Sequence, residues 1–572
     1  MHRKIILPLL FIILIQAVFS QTTEIKTDSE KQDDFKKQTV DFLSETGREV
    51  KNLRSLENRI SFSAEVAGLM WFHDEKEARS MYQVTISDFR QLLLDFNTQF
   101  NSLNAAEETA DTSDDFLFGE MNSTMLMRKF EKMMSVRYQI ALSIAEHDGQ
   151  MGYDFFTSTA QMITNQKLLQ QLSYRDSYLE LKLIDKIAEN DIDKTIEIAR
   201  KMLASGKTVE LLGILQKIYA KDDKKGAAFG EEIISKIKSS PTVIGNYYSL
   251  SSVLTMGANN LEAIKDTPNK KPLFSRESLR DIADLMAQEI LKRDENEYMD
   301  VEGFASLIEK FAPARAQQIR LKFKKKERTE TDVAAISVQS NVSNNRQEII
   351  AAQQKQQQEL FEDVKKLADK QLPKEEREKI IAKAREIISK VKNREQKVMA
   401  LSLLASQIAA LGDKELANEI MLEARNLAPF QPKNYKDYLT VWMLVSGYAS
   451  ADTEKAFPIL EDTVSRLNET ITAFIKVAEF IDVRNEFIED DEVQVGSFGG
   501  ELTRGLLSEL GAANTTLLQL SKADFQRTRN VANRFDRLEV RILAKMLILR
   551  AVLGSKEKAE EKTDVGNSES LN

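Results

Sequence analysis

No proline falls between Pro8 and Pro241 of this 572-residue chain, and the whole sequence holds nine. Glycine is scarce as well, at 21. Proline removes a backbone donor and clashes with the preceding turn, so it punctuates helices. Glycine weakens them through its backbone freedom. A turn-dense sheet protein needs both at short intervals. A chain that runs so far without them, and is rich in Ala, Leu, Ile, Glu and Lys, is built for helices. Its length suffices for several cores or one long stack of helix pairs.

The best-defined unit is Val398–Pro429. Leu401, Leu404, Ile408 and Leu411 recur three or four apart and share one helix face. Gly412 stands where that helix must end, because glycine takes the left-handed C-cap conformation cheaply. Asp413 then caps a second helix carrying Ala417, Ile420, Met421, Ala424, Leu427 and Ala428, and Pro429 stops it. Leu404, Ala405, Ile408, Ala417, Met421, Ala424 and Pro429 fall on the spacing of a tetratricopeptide-like (TPR-like) helix pair, which this stretch resembles. A following pair, Tyr435 to Leu467, is offset by 39 residues, with Ala456, Leu460 and Thr463 at the positions of Ala417, Met421 and Ala424. Several stretches are also similar to poorly characterised exported bacterial repeat proteins, a resemblance that implies no particular chemistry. The TPR-like resemblance implies a concave groove lined by first helices, here at Met399, Ser402, Ser406 and Ala409. These positions lack the Lys, Arg and Asn that such domains use to grip a peptide carboxylate.

Other units are divergent. Leu53 to Phe96 reads as a helix pair turning at Trp71–Glu77, with Asp74 at an N-cap position and Glu77 three residues on. Ala64, Ala67, Met70 and Trp71 would pack against Ala78, Met81 and Tyr82. Asn101–Gly119 is small, acidic and polar and reads as a long exposed loop. Helices resume near Ser123 and turn at His147-Asp148-Gly149. Four helices then follow to Ser239, with breaks at Gly206 and Lys221–Asp223. Ala199–Ile218, Ala384–Ile408 and Ala532–Leu547 share one plan of helix, connector, helix. Asn341–Leu372 is rich in Asn and Gln, and Pro373 opens the next block at a helix N1 position. Arg484–Gly500 breaks the pattern again. Leu538–Leu553 is apolar on a wide arc and ends at Gly554. The expected organisation is a leader over 1–20, an unstructured segment over 21–36 and a helical-repeat block over 37–340. A Gln-rich helical linker over 341–372, a TPR-like block over 373–554 and a polar tail over 555–572 complete it.

Residues 1–20 read as a cleaved secretory signal. His2, Arg3 and Lys4 precede an apolar run from Ile5 to Phe19, and Val18 and Ser20 are the small residues before a cut at Gln21. The run is shorter than the roughly 20 residues that a spanning helix needs, so no membrane span is expected in the mature chain. Cysteine is absent, which removes disulfides, thiol nucleophiles and cysteine metal sites. Export without cysteine fits a bacterial periplasm or exterior. The sequons at Asn122, Asn341, Asn468 and Asn514 are as many as chance supplies. Losing the leader takes away Arg3 and Lys4 and no acid, which moves the formal charge from −9 to −11. A net acidic chain does not attract nucleic acid.

Reactive constellations are sparse. His73 and His147 each precede an aspartate at an inter-helix turn and read as turn residues beside an N-cap. Neither sits in a Glu-x-x-His or His-Glu-x-x-His pattern. The glycines of VGSFGG (Gly496, Gly499, Gly500) lack the Lys and Ser/Thr of a phosphate loop. The acidic runs Asp111–Asp115 and Glu489–Glu492 lack the alternation and central glycine of a calcium loop and read as solvated loops. Lys322, Lys324, Lys325, Lys326 and Arg328 read as a solvated helix end. Tyr435, Tyr438 and Trp442 share one helix face; such a stripe is core or, as the candidate binding site, a surface that stacks on a peptide or glycan. The sequence therefore predicts an all-α, irregular α-solenoid of TPR-like helix pairs in two blocks. The expected role is non-catalytic protein or peptide binding in the cell envelope, with no cofactor and no metal. A carboxylate-based hydrolase, acting for instance on polysaccharide from acidic inter-helix loops, is the alternative.

Overall fold

The computed structural model describes residues 28–109, 116–267, 269–293, 300–323, 367, 373–429, 431–480, 487–497 and 514–567. The expected leader, nearly all of the Gln-rich segment, Asp111–Asp115 and the basic cluster beyond Lys322 lie outside them. Among the described residues the chain is all-α apart from one two-stranded hairpin. None of the described helices is long and apolar enough to cross a membrane. By its internal contacts the chain divides into two units, one of residues 63–71 and 76–347 and one of residues 1–62, 72–75 and 348–572.

The helices run in chain order as α1 (Asp28–Val50), α2 (Leu56–Met70), α3 (Glu75–Thr109), α4 (Phe116–Ala145), α5 (Gly149–Gln161), α6 (Gln166–Asn190) and α7 (Ile192–Ala204). Then come α8 (Leu212–Lys221), α9 (Asp223–Lys238), α10 (Pro241–Ile244), α11 (Tyr247–Ala263), α12 (Arg276–Leu291), α13 (Val301–Glu309) and α14 (Pro313–Lys322). In the central unit most contacts run between a helix and the next or the next but one: α4 on α5 and α6, α6 on α7 and α8, α8 on α9, α12 on α13 and α14. That is the contact pattern of a solenoid, in which a pair hides its apolar face only against its neighbours.

Aspartates set the turns. Asp191 ends α6 and caps α7, accepting from the Lys194 amide at 2.9 Å. Asp222 does the same between α8 and α9, accepting from Lys225 at 2.9 Å. Each such cap is worth about 1 kcal/mol. Ion pairs 32 residues apart then link successive pairs, Lys225 to Asp193 at 2.6 Å and Arg200 to Glu232 at 2.6 Å. They are largely exposed and mark register more than stability. Phe89 meets Phe155 edge-on at 5.4 Å and Phe96 stacks on Phe130 at 5.7 Å, so α3 packs on α5 and α4.

The C-terminal unit holds α15 (Lys374–Lys390), α16 (Arg394–Ala410), α17 (Lys414–Leu427), α18 (Tyr435–Ala451) and α19 (Thr453–Phe480). The hairpin β1 (Ile488–Glu489) and β2 (Glu492–Val493) follows, then α20 (Asn514–Ala523), α21 (Phe525–Asn533) and α22 (Leu538–Asn567). Gly412 has φ +97°, its amide donates to Ala409 O at 3.0 Å and the Asp413 amide reaches back to Ile408 O at 3.3 Å. This is a Schellman ending, and Gly206 (φ +101°) closes α7 with the same two bonds. Asp413 caps α17 through the Leu416 amide at 3.0 Å. Leu404, Ile408, Ala417, Ile420, Met421, Ala424, Leu444, Ala456 and Phe457 form one core, each larger side chain contributing roughly 2 kcal/mol. Gly447 lets α16, α17 and α18 converge: a Cβ there would lie 2.4 Å from Met421 Sδ and 3.1 Å from Ser402 Cβ. The helix α1 packs on α22 within this unit.

Several expectations are corrected. Asn101–Gly119 is not a long loop: α3 continues to Thr109 and α4 starts at Phe116. Ala105, Ala106, Glu107 and Glu108 are strong helix formers despite their small, acidic look. The segment 21–36 turns helical at Asp28. Pro373 occupies the N-cap of α15 rather than N1. The helix after Asp452 runs past Leu467 to Phe480. Gly554 does not end α22, which continues to Asn567; the following Lys, Glu and Ala residues outweigh the roughly 1 kcal/mol that an interior glycine costs. Two of the four expected groove positions, Ser402 and Ala409, are buried at 3% and 8% exposure, so they face the next pair and line no groove.

Candidate functional site

The candidate aromatic face starts at the N-terminus of α18, where Asn434 accepts from the Asp437 amide at 3.1 Å. Helical spacing then brings Tyr435, Tyr438 and Trp442 to one side. The three have different surroundings. Tyr435 is 44% exposed. The Tyr438 hydroxyl lies 3.0 Å from Thr470 Oγ1 of α19. Trp442 is partly buried against the core of the unit. The most exposed of the three is Tyr435, while Tyr438 is tied to α19 and Trp442 to the core.

A different face of α19 lines an open cleft of about 830 Å³. Ser465, Asn468, Glu469, Thr472 and Lys476 come from the helix, and Arg534 and Asp536 from the end of α21. The Asn468 carboxamide holds this junction together, donating to Arg534 O at 2.8 Å and accepting from the Asp536 amide at 3.2 Å. Arg534 also reaches Glu461 at 3.2 Å. The cleft offers hydroxyls and both charge signs, groups that hold a polar segment through hydrogen bonds.

The histidine of the central unit sits as the sequence reading placed it. Asp148 caps α5, accepting from the Met151 amide at 2.9 Å, and His147 precedes it. His147 stacks on Trp71 with ring centres 4.9 Å apart, and the Arg79 guanidinium lies 4.6 Å from the Trp71 ring centre. Arg79 also pairs with Asp148. Burial pushes His147 below the ordinary histidine value. Burial alone would raise Asp148, but the hydrogen bonds from Arg79 and the Met151 amide outweigh it and hold the carboxyl below its usual range. His73 lies in the turn before α3. Among the described residues no group of three or more His, Cys, Asp or Glu is placed to hold a metal ion.

The acidic run Glu489–Glu492 departs from the expected solvated loop. Asp490 and Asp491 form a two-residue hairpin turn with φ of 50° and 62°, a conformation that aspartate tolerates better than most residues. Glu492 is 3% exposed and accepts from the Arg54 amide at 2.9 Å, the Ser55 amide at 3.2 Å and Asn58 Nδ2 at 3.4 Å. Its charge thus sits on the N-terminus of α2, where the helix dipole favours an anion. The Val495 amide donates to Asn58 Oδ1 at 3.1 Å, and the Val493 amide donates to Glu539 of α22 at 3.0 Å. Sequence reasoning missed this clasp. Its local signal was the alternation of Ile488, Val493 and Val495 around the acidic tip.

No family model matches the chain, and no curated protein matches it. Among solved structures the chain is similar to one described as a circular tandem repeat protein with novel repeat topology and enhanced subunit contact surfaces. The identity is 14%, covering 89% of this chain and 99% of that chain, with a TM-score of 0.16. A superposition at that score carries no argument, and the all-α solenoid class rests on the helices and contacts described above.

Proposed function

We propose that the protein is a non-catalytic scaffold of the bacterial cell envelope or exterior, which holds a protein or peptide partner on a helical-repeat surface. The observation that carries this reading is the half-exposed Tyr435, which opens α18 on the face it shares with Tyr438 and Trp442. Tyrosine supplies large contact area at low conformational cost, which is why it is enriched where proteins meet. The acidic balance of the chain directs the choice of partner away from nucleic acid. The export reading rests on the apolar run after Arg3 and Lys4.

The test places a photo-crosslinking residue at Tyr435 and, as a control, at Leu422, which is 59% exposed on α17. Irradiated cells are fractionated and the adducts identified. The expected result is a discrete adduct from position 435 in the envelope or external fraction, on a chain that begins at Gln21. Equal, diffuse labelling at both positions overturns the binding reading. A cytosolic chain that keeps Met1 overturns the export reading.

A further inference from the structure

The helix α1 reaches its seat across nearly the whole length of the chain. Phe35, Phe42 and Glu49 recur every seven residues on one face, and Glu45 lies beside them. The seat is made by Phe525 and Arg529 of α21 and Lys545 of α22. The ring of Phe525 takes Phe35 edge-on at 5.2 Å and Phe42 at 5.8 Å. Arg529 lies 4.7 Å from the Phe42 ring centre and pairs with Glu45 at 2.6 Å. The Lys545 side chain is 1% exposed, and its ammonium is held by Glu45 at 3.2 Å and Glu49 at 2.7 Å. An ammonium so buried is costly without its acids, so this contact is selective for an acidic, phenylalanine-bearing helix in one register.

These features are those of a helix docked in a groove, joined to the rest of the chain by a short connector. Glu492 fixes the amides of Arg54 and Ser55 and Leu53 is buried, which leaves the exposed Lys51 and Asn52 as the hinge. We propose that the seat on α21 and α22 is an exchange interface, which accepts the α1 of a second copy of this chain in place of its own. The contacts are the same in either arrangement, and exchange of an identical element is a low-cost route to a dimer. In dilute solution the chain's own helix wins, because the connector keeps it at an effective concentration on the order of millimolar. A second copy wins wherever the internal pairing is blocked.

Charge reversal blocks it in a way that can be read out. One full-length variant carries Glu45→Lys and Glu49→Lys, a second carries Arg529→Glu and Lys545→Glu, and a third carries all four. Each of the first two opposes like charges within itself, but each complements the other at both exchanged sites. Light scattering on the co-expressed pair is expected to give a 1:1 complex of twice the chain mass, with amide protection restored over residues 28–50. Each expressed alone is expected to be monomeric and unprotected there. The fourfold variant is expected to be a monomer with protection restored. If the fourfold variant recovers while the co-expressed pair stays as separate monomers, exchange is refuted. If the fourfold variant does not recover, the charges do not seat α1, and the inference fails at its base.

Discussion

Replacing Glu492 by alanine tests the hairpin clasp directly. The substitution leaves the Arg54 amide, the Ser55 amide and Asn58 Nδ2 without their acceptor in a buried site. Hydrogen bonds to a charged group contribute roughly 1.5–3 kcal/mol each, but the losses are not additive, because the freed turn relaxes toward water. Loss of an N-cap alone costs about 1 kcal/mol. Together these place the cost near 3 kcal/mol, with glutamine at the same position costing about 1 kcal/mol because it keeps a carbonyl acceptor. The assay is native-state amide exchange on the full chain. The Arg59 amide, which donates to Ser55 O at 3.0 Å, reports the first turn of α2. Exchange there is expected to quicken on the order of a hundredfold in Glu492→Ala and about fivefold in Glu492→Gln. If Glu492→Ala leaves Arg59 exchange within a factor of two of the parent, the carboxylate does not hold that turn and the reasoning is wrong.

Gly412→Ala should destabilise the C-terminal unit by about 1 kcal/mol, because φ +97° is strained for any residue with a Cβ. Gly213→Ala, in a helical position with open space around it, should be neutral or stabilise by about 0.5 kcal/mol; urea midpoints of the two variants should move in opposite directions or differ clearly in size. Tyr435→Ala should abolish co-purification of the partner identified by crosslinking and leave the thermal midpoint unchanged, whereas Trp442→Ala should lower it, since Trp442 packs on the core. Burial pushes the Tyr82 hydroxyl from its ordinary value of 10.0 up to about 12. Its folded-state pKa is raised, so the stability tied to its proton is present below pH 10 and is lost as pH rises from 10 toward 12, by about 2–3 kcal/mol. Tyr82→Phe should lose that much less stability over the same pH interval in alkaline unfolding curves.

Local signals were legible and long-range ones were not. Gly412 with Asp413, Gly206, and Asp148 after His147 each announce a helix boundary within a few residues, and the structure closes helices at all three. The core positions of α16 and α17 follow from a 3.6-residue period and are buried. By contrast, the pairs Glu492 with Ser55 and Lys545 with Glu49 join residues more than 400 apart in the chain. No period or spacing encodes such a pair, so Glu492 reads as one more acid in a solvated tip. Ser402 and Ala409 were misread for a related reason. Their small side chains suit a groove floor and a helix-packing face equally, and only the neighbouring helix, with Gly447 against Ser402, decides between them. The aromatic stripe was readable as a face, but the different exposures of Tyr435 and Trp442 depend on α19 and the core.

The seating of α1 on α22 also orders the life history of the molecule. A ribosome makes Glu49 496 residues ahead of Lys545. At about 5–20 residues per second, α1 waits on the order of half a minute or more for its seat to exist. During that interval the partners of Phe35, Phe42, Glu45 and Glu49 on α21 and α22 do not yet exist. A nascent chain cut short anywhere before α21 carries that helix with nowhere to put it. The early helix is thus covered only once α21 and α22 have been made, so its burial marks that both have arrived.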